Sequence, residues 1–150
     1  MSLVKLRLEE FNYIYSKVPR LCVDLVISTR EKIVLILRDI NPGKGLWHLP
    51  GGTVLKSETL EEAVIRIATE ETGLTVSPLD FKGIMEFTDP DNPFFHTVSL
   101  VFSSEMTGGV LSPDQHGKAI QTFSMLPEPM IPEQRAFLIE HFTWFCGRNH

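Results

Sequence analysis

Hydrophobic residues along the chain fall into short runs rich in Val, Ile, Leu and Phe, separated by stretches with helical spacing. Strands are predicted over 21–28, 32–39, 81–87, 96–105 and 120–126. Helices are predicted over 9–17, 58–72 and 132–146. The first two strands are separated only by Thr29, Arg30 and Glu31, which predicts a hairpin. Strands interrupted irregularly by helices favour an α/β class with helices covering a mixed β-sheet.

The best-defined predicted helix, 58–72, has a glutamate at a position where its helical periodicity predicts an apolar residue. Its core-facing stripe consists of Leu60, Val64, Ile67 and Leu74. Glu71 occupies the missing position between Ile67 and Leu74. A buried carboxylate without a partner is costly and tends to protonate. We therefore expect Glu71 either to reach an arginine or to lie beside a cation in a cleft.

Composition narrows the function classes without naming one. The 150 residues carry a net charge of −5, which argues against non-specific nucleic-acid binding. Cys22 and Cys146 form neither a metal-ligand spacing nor a disulfide framework, so we expect reduced thiols in a cytoplasmic protein. The N-terminal residues lack the apolar core of a signal peptide, and no apolar run reaches the length of a membrane span. A cytoplasmic protein without a membrane partner is predicted.

Two adjacent glycines precede the predicted helix over 58–72 and indicate a candidate metal site. Gly51 and Gly52 allow a tight turn and let a backbone carbonyl approach an ion. Mg²⁺ prefers oxygen ligands and is commonly held by one or two carboxylates together with substrate phosphates. Glu70 and Glu71 could supply the carboxylates. Glu70 also lies over Arg66, one helical turn earlier, and this pair is equally consistent with a surface ion pair.

Residues 51–74 resemble the signature box of the Nudix hydrolases. That pattern is a glycine, five residues, a glutamate, seven residues, then Arg-Glu-aliphatic-x-Glu-Glu-x-Gly-aliphatic. The chain matches it at Gly52, Glu58, Arg66, Ala68, Glu70, Glu71, Gly73 and Leu74. The preceding LWHLPGG resembles the frequent lead-in to the box. The resemblance implies one Nudix-type α/β/α sandwich with a mixed β-sheet over 1–150. It also implies hydrolysis of a diphosphate-linked compound with Mg²⁺ or Mn²⁺, supported by Glu58 and Arg66.

Ile67 departs from the family pattern at a chemically important position. Most members carry there a glutamate that binds metal or activates water, and isoleucine does neither. Three interpretations stay open. The chain is an enzyme with its base elsewhere, or a pyrophosphohydrolase that cleaves a P–O–P bond with Glu70 and Glu71 holding the metal. Alternatively, it is a catalytically silent domain that binds a nucleotide or a partner protein.

Other segments resemble the GDP-mannose mannosyl hydrolases, a Nudix subgroup that also lacks this glutamate. The similar segments are YSKVPRLCVDLVI, LILRDINPGKGLWHLPGG, FHTVSLVF, LSPDQHGKAIQTFSML and EQRAFL. In that subgroup water attacks the anomeric carbon of the sugar and releases the nucleoside diphosphate. The resemblance therefore implies a small-molecule nucleotide or nucleotide-sugar partner. A homodimer is an additional option.

Roles carried over from this subgroup concern residues spread along the chain. The Gly51 carbonyl, Glu71 and Gln115 would hold the metal, and Glu70 would add a second contact. His116 would be the general base, since histidine accepts a proton near neutral pH. Arg38 would stabilise the leaving diphosphate, and Asp24 would support positive charge at the sugar or position it. Without the resemblance, a histidine in a loop is incidental. A charge within an apolar strand needs a cationic partner or a cleft.

Overall fold

A mixed β-sheet lies at the centre of the computed structural model, which describes residues 3–40, 43–89, 91, 95–112 and 119–142. Its strands are β1 (Arg20–Thr29), β2 (Lys32–Leu37), β3 (Trp47–His48), β4 (Gly51–Thr53), β5 (Leu74–Thr88), β6 (His96–Gly109) and β7 (Ile120–Phe123). The helices are α1 (Leu8–Tyr15), α2 (Leu60–Thr72) and α3 (Pro132–His141). The predicted α/β class with a mixed sheet is confirmed.

Strand β1 lies in the middle of the sheet and organises it. The main path runs β3-β2-β1-β6-β5, while β4 pairs with β1 and β7 pairs with β2. Pairing of β1 with β6 is parallel, and the other pairings are antiparallel. The predicted hairpin joins β1 to β2, and its turn residues Arg30 and Glu31 both have positive φ. Residues near the start of β1 therefore lie between β4 and β6.

Apolar side chains of the central strands alternate between two cores, one on each face of the sheet. Val23, Leu25 and Ile27 pack with α2 residues, whereas Val26 packs with Phe137 and Leu138 of α3. This alternation follows from the two-residue period of a strand. Helices consequently cover both faces, which gives the sandwich its layers.

Helix α2 begins and ends where its sequence signals predict. Thr59 is the N-cap and forms a capping box with Glu62, while Gly73 ends the helix in the left-handed conformation at φ 79°. Its stripe residues Val64 and Ile67 are buried at 0% and 2% exposure. The helix predicted over 58–72 and its buried stripe are therefore confirmed, with the helix beginning at Leu60.

Several element boundaries differ from the prediction, most clearly the start of β5 and the end of α3. Strand β5 begins at Leu74, directly after α2, rather than at 81, so Leu74 extends the core from a strand and not from the helix. Most residues in the first half of β5 are exposed or half-buried, and this leaves little hydrophobic alternation to detect. Helix α3 ends at His141 because Phe142 adopts an extended conformation. No helix in the described part of the chain is long and apolar enough to cross a membrane.

Candidate active site

A cavity of about 620 Å³ opens beside the double glycine. Strands β1, β4 and β5, the segment after β2 and the start of α3 contribute to its wall. Charged and polar lining residues include Arg20, Asp24, Arg38, His48, Glu86 and Gln134. This volume falls within the usual range of about 300–1,000 Å³ for small-molecule sites. The chain therefore forms a cavity of ligand-binding size beside the double glycine, with several charged and polar side chains among apolar ones in its wall.

Asp24 is a buried carboxylate in the wall of this cavity. It lies on β1 opposite Gly51 of β4, and Ser99 of β6 donates a hydrogen bond to its Oδ2. Burial raises the pKa of Asp24 to about 6, although the Ser99 hydrogen bond and the charge of Arg20 oppose the rise. Of the two options expected for a charge within this strand, a cationic partner or a cleft, the structure shows the cleft.

Gly51 has no side chain because Asp24 occupies the space where one would lie. A Cβ on Gly51 would overlap the Asp24 carboxylate and would lie 2.8 Å from the Val23 carbonyl oxygen. Both neighbours belong to β1, a buried central strand that cannot move away at low cost. Glycine is therefore needed here for close approach of β4 to Asp24.

Gly52 has a different neighbour, the side chain of Ile67. A Cβ on Gly52 would lie 3.3 Å from Ile67 Cδ1 and 3.6 Å from Cγ1. Ile67 is 2% exposed and belongs to the apolar core formed with α2. The position where most Nudix hydrolases carry a glutamate is thus a packed core position in this chain.

Arg66 connects α2 to the loop that follows the glycines. Its Nε donates to Glu58 Oε2 at 2.6 Å and its Nη2 donates to Glu58 Oε1 at 3.0 Å. Nη2 also donates to the Thr53 carbonyl at 3.0 Å. The Arg66 hydrogen bond holds the pKa of Glu58 below its usual range, and the Glu58 side chain is 0% exposed. This paired contact fixes α2 against the end of β4.

The two glutamates at the end of α2 lie in different surroundings. Glu70 is exposed and forms ion pairs with Lys5 at 3.0 Å and with Arg66 at 3.2 Å. Glu71 is half-buried. Within the described ranges, neither belongs to the cavity lining, and no three His, Cys, Asp or Glu side chains converge to hold a metal. Adjacent carboxylates nevertheless supply the hard oxygen donors that Mg²⁺ prefers, so the donor chemistry fits this ion.

Arg38 contributes a positive charge to the wall of the cavity. It is half-buried and lines the cavity. Burial lowers the pKa of Arg38, the charge of Arg20 lowers it further, and Asp39 raises it. A guanidinium still stays charged at any ordinary pH. The structure thus brings Arg38, Asp24 and Gly51 to one cavity, whereas Gln115 and His116 lie outside the described residues.

Sequence reasoning did not single out three other residues of this site: Arg20, Ser99 and Gln134. Arg20 and Asp24 are four residues apart in one strand and therefore share a face, a signal that was present in the sequence. Ser99 and Gln134 are recognisable only from tertiary contacts. Ser99 donates a hydrogen bond to Asp24, and Gln134 accepts one at 2.7 Å from the Leu49 amide. Trp47 is half-buried and packs against Phe123 beside the apolar core.

Cys22 is an inert thiol despite its place in the cavity wall. It is 5% exposed, and burial raises its pKa to about 11. The thiol therefore stays protonated at neutral pH, where a thiolate is needed for nucleophilic or metal chemistry. This outcome confirms the predicted unreactive cysteine.

Comparisons with known proteins agree with this geometry. The family described as "NUDIX domain" matches residues 18–145. An ADP-ribose pyrophosphatase of Methanocaldococcus jannaschii is 36% identical over 130 residues, which cover 86% of this chain and 76% of that protein. The low-salt glycan biosynthesis protein Agl8 of Haloferax volcanii is 44% identical over 69 residues, 46% of this chain and 44% of its own length.

A solved structure shows the same architecture. The MutT NUDIX hydrolase from Burkholderia pseudomallei superposes with a TM-score of 0.75 and 27% sequence identity. The match covers 84% of this chain and 99% of that chain. The predicted Nudix-type α/β/α sandwich is thereby confirmed.

Proposed function

The chain belongs to the NUDIX domain family, and from this premise we propose that it hydrolyses a nucleoside diphosphate sugar with the help of Mg²⁺. The predicted enzyme class, a Nudix hydrolase, is confirmed by these relatives. The narrower likeness to the GDP-mannose mannosyl hydrolases belongs to the proposal, as does a single domain over 1–150.

One observation carries the proposal: Asp24 and Arg38 line the same cavity as Gly51. An arginine stabilises the negative charge of a diphosphate, and a carboxylate stabilises positive charge that develops on a sugar ring. Departure of a nucleoside diphosphate from a sugar carbon produces both charges at once. The opposite charges in this cavity therefore suit attack at the sugar carbon.

The metal would lie at the end of α2. Glu71, with Glu70, the Gly51 carbonyl and Gln115, would hold Mg²⁺. When bound, this ion would neutralise charge on the diphosphate and improve it as a leaving group. Glu70 would have to weaken its ion pairs with Lys5 and Arg66 to take part, so Glu71 is the stronger candidate.

The absence of an acid at Ile67 favours carbon as the site of attack. A buried isoleucine cannot accept a proton from water, so the base has to come from another segment. We assign that role to His116 by its resemblance to the mannosyl hydrolases. At neutral pH, above its raised pKa of about 6, Asp24 is mostly ionised and available to stabilise a cationic sugar.

A second candidate reaction is cleavage of a P–O–P bond. It is favoured by the 36% identity to a protein named ADP-ribose pyrophosphatase. In ADP-ribose the diphosphate is attached to the ribose 5′-oxygen, so attack at the anomeric carbon would release nothing. The two candidates thus share a class of substrate and differ in the bond that is broken.

A substrate panel separates these candidates. The purified chain is incubated with Mg²⁺ and GDP-mannose, UDP-glucose or ADP-ribose, and the products are separated by chromatography. Free sugar and nucleoside diphosphate from the first two compounds support the proposal. Nucleoside monophosphate and sugar phosphate support P–O–P cleavage. If no compound reacts, the silent binding domain becomes the better interpretation.

A further inference from the structure

Arg20 is a second arginine in the cavity, at the start of β1. Every second residue at the start of this strand lines the cavity: Arg20, Cys22 and Asp24. Side chains at every second position of a strand lie on the same face. Arg20 is thus part of the same wall as the buried carboxylate, and Arg38 lines the same space.

The hydrogen bonds of Arg20 go to neutral hydroxyl groups. Nε and Nη2 donate to Thr97 Oγ1 at 3.4 Å and 3.3 Å, and Nη1 donates to Thr53 Oγ1 at 3.5 Å. The guanidinium also lies over the ring of Phe11 in α1, 5.5 Å from its centroid. No salt bridge to Arg20 occurs among the residues that the structure describes. The charge is therefore held in position without being neutralised by an adjacent carboxylate.

The donors of Arg20 that remain unused suit an anionic ligand. Each terminal nitrogen of a guanidinium carries two hydrogens, and Nη1 and Nη2 each use one on a threonine. One N–H remains on each terminal nitrogen. Two parallel donors of this kind match two oxygens of a phosphoryl group. Long bonds to the threonines indicate that a charged acceptor would bind more strongly than the present partners.

The charges of the cavity wall also favour an anionic ligand. Arg20 and Arg38 line the same cavity, so their like charges repel each other; burial lowers the pKa of Arg38, and the charge of Arg20 lowers it further. An anionic ligand placed between them would remove that repulsion, and a ligand with two phosphoryl groups would satisfy both. Asp24 does not fill this role, because it forms no salt bridge with Arg20 among the described residues.

We propose that Arg20 binds a phosphoryl group of the substrate's diphosphate, acting together with Arg38 in the same cavity. This inference rests on the proposed function. Thr97 and Thr53 are positioning residues that orient the guanidinium, and Phe11 covers its face. The contact also gives a role to α1, a helix without a buried residue.

Binding of inorganic pyrophosphate tests the proposal without requiring turnover. The probe is pyrophosphate with Mg²⁺, titrated calorimetrically into the wild-type chain, Arg20→Gln and Arg30→Gln. Arg30 is an exposed arginine in the turn at the opposite end of β1, which makes it a matched control. Loss of a charged hydrogen-bonding partner weakens binding about 10- to 100-fold. We expect this loss in Arg20→Gln, with a shallower dependence of affinity on salt, and no change in Arg30→Gln.

Further variants separate binding from folding. Arg20→Lys keeps the charge but loses the paired donors, and Thr97→Val keeps Arg20 but removes its main anchor. We expect each to weaken pyrophosphate binding about 3- to 10-fold, less than Arg20→Gln. Wild-type affinity in Arg20→Gln would overturn the proposal, even if its melting temperature falls, because Arg20 would then be structural. If Arg20→Gln does not fold, unchanged affinity in both milder variants would overturn it.

Outcomes of the substrate panel and of this titration are independent. A wild-type chain that hydrolyses none of the panel but binds pyrophosphate through Arg20 would contradict the proposed function alone. A chain that hydrolyses GDP-mannose with unchanged KM and kcat in Arg20→Gln would contradict the Arg20 assignment alone. Weakened binding of GDP-mannose with unchanged binding of pyrophosphate would also overturn it, since Arg20 would then contact another part of the substrate.

Discussion

The Ile67 side chain packs against Gly52, and a Cβ added to that glycine would lie 3.3 Å from Ile67 Cδ1. An apolar residue therefore packs against β4 at the position where most members of the family carry an acid. The departure from the family pattern is built into the core between α2 and β4. We therefore expect a glutamate introduced at position 67 to lower the stability of the fold.

Ile67→Glu is expected to destabilise the chain by about 3–5 kcal/mol at neutral pH, because it places an unpaired carboxyl in an apolar core. Ile67→Val, the control, should cost only about 0.5–1.5 kcal/mol. Urea unfolding followed by circular dichroism measures both. Burial raises the pKa of the introduced carboxyl, so its cost should shrink as the pH falls. Wild-type stability in Ile67→Glu would mean that this side chain reaches the cavity.

Asp24→Asn is expected to stabilise the metal-free chain at pH 7 and to abolish most of its turnover. The folded pKa of Asp24, about 6, lies above the ordinary value of 3.8, so the folded state retains a proton that the unfolded state loses. Wild-type stability should therefore fall between about pH 4 and pH 6 as the pH rises, by about 2–3 kcal/mol. The variant lacks this dependence. Parallel pH profiles of unfolding for the two proteins would contradict the raised pKa.

Glu58→Gln is expected to cost about 1.5–3 kcal/mol at neutral pH, because it replaces the buried charged acceptor of Arg66 with a neutral amide, while Glu70 and the Thr53 carbonyl still bind Arg66. The pKa of Glu58 is depressed, so the wild-type advantage is present at neutral pH and is lost as the pH falls through that pKa. The difference in unfolding free energy should accordingly narrow in acid. Glu61→Gln, an exposed position in the first turn of the same helix, is the control. An equal effect of both substitutions would remove the special role of the Glu58–Arg66 pair.

Substitutions of the proposed metal ligand and of the proposed base should differ in their effect on Mn²⁺ affinity. Glu71→Gln is expected to weaken Mn²⁺ binding and to slow turnover, whereas His116→Gln should slow turnover about 10²- to 10⁴-fold with little change in Mn²⁺ affinity. Electron paramagnetic resonance of Mn²⁺ measures the affinity. Unchanged turnover in His116→Gln would transfer the base to another residue.

Much of this site was recognisable from the sequence because local signals agree with the fold. The capping box at Thr59, the stop at Gly73 and the apolar period through Ile67 fix α2 and its buried face. A charge at Asp24 within an apolar strand indicated either a cationic partner or a cleft, and Asp24 lines the cavity. Each of these features depends on neighbours in the chain or on the period of one element.

Features that depend on pairing between distant strands could not be predicted. Arg20 meets Thr97 because β1 and β6 are parallel with these two residues in register, and a single sequence does not specify that register. The hydrogen bond from Ser99 to Asp24 also depends on this register between β6 and β1. The early start of β5 was missed because its first residues lack a clear alternation. Contacts across the sheet thus complete a site that the signature box only begins.

The most direct test of attack at the sugar carbon follows oxygen from water into product. The chain is incubated with Mg²⁺ and GDP-mannose in ¹⁸O-labelled water, and the products are analysed promptly by mass spectrometry, with unlabelled mannose in the same water as the exchange control. We predict that the label enters the released sugar above the level of that control and that the nucleoside diphosphate stays unlabelled. Label in a phosphate group, with the sugar no more labelled than the control, would contradict attack at carbon.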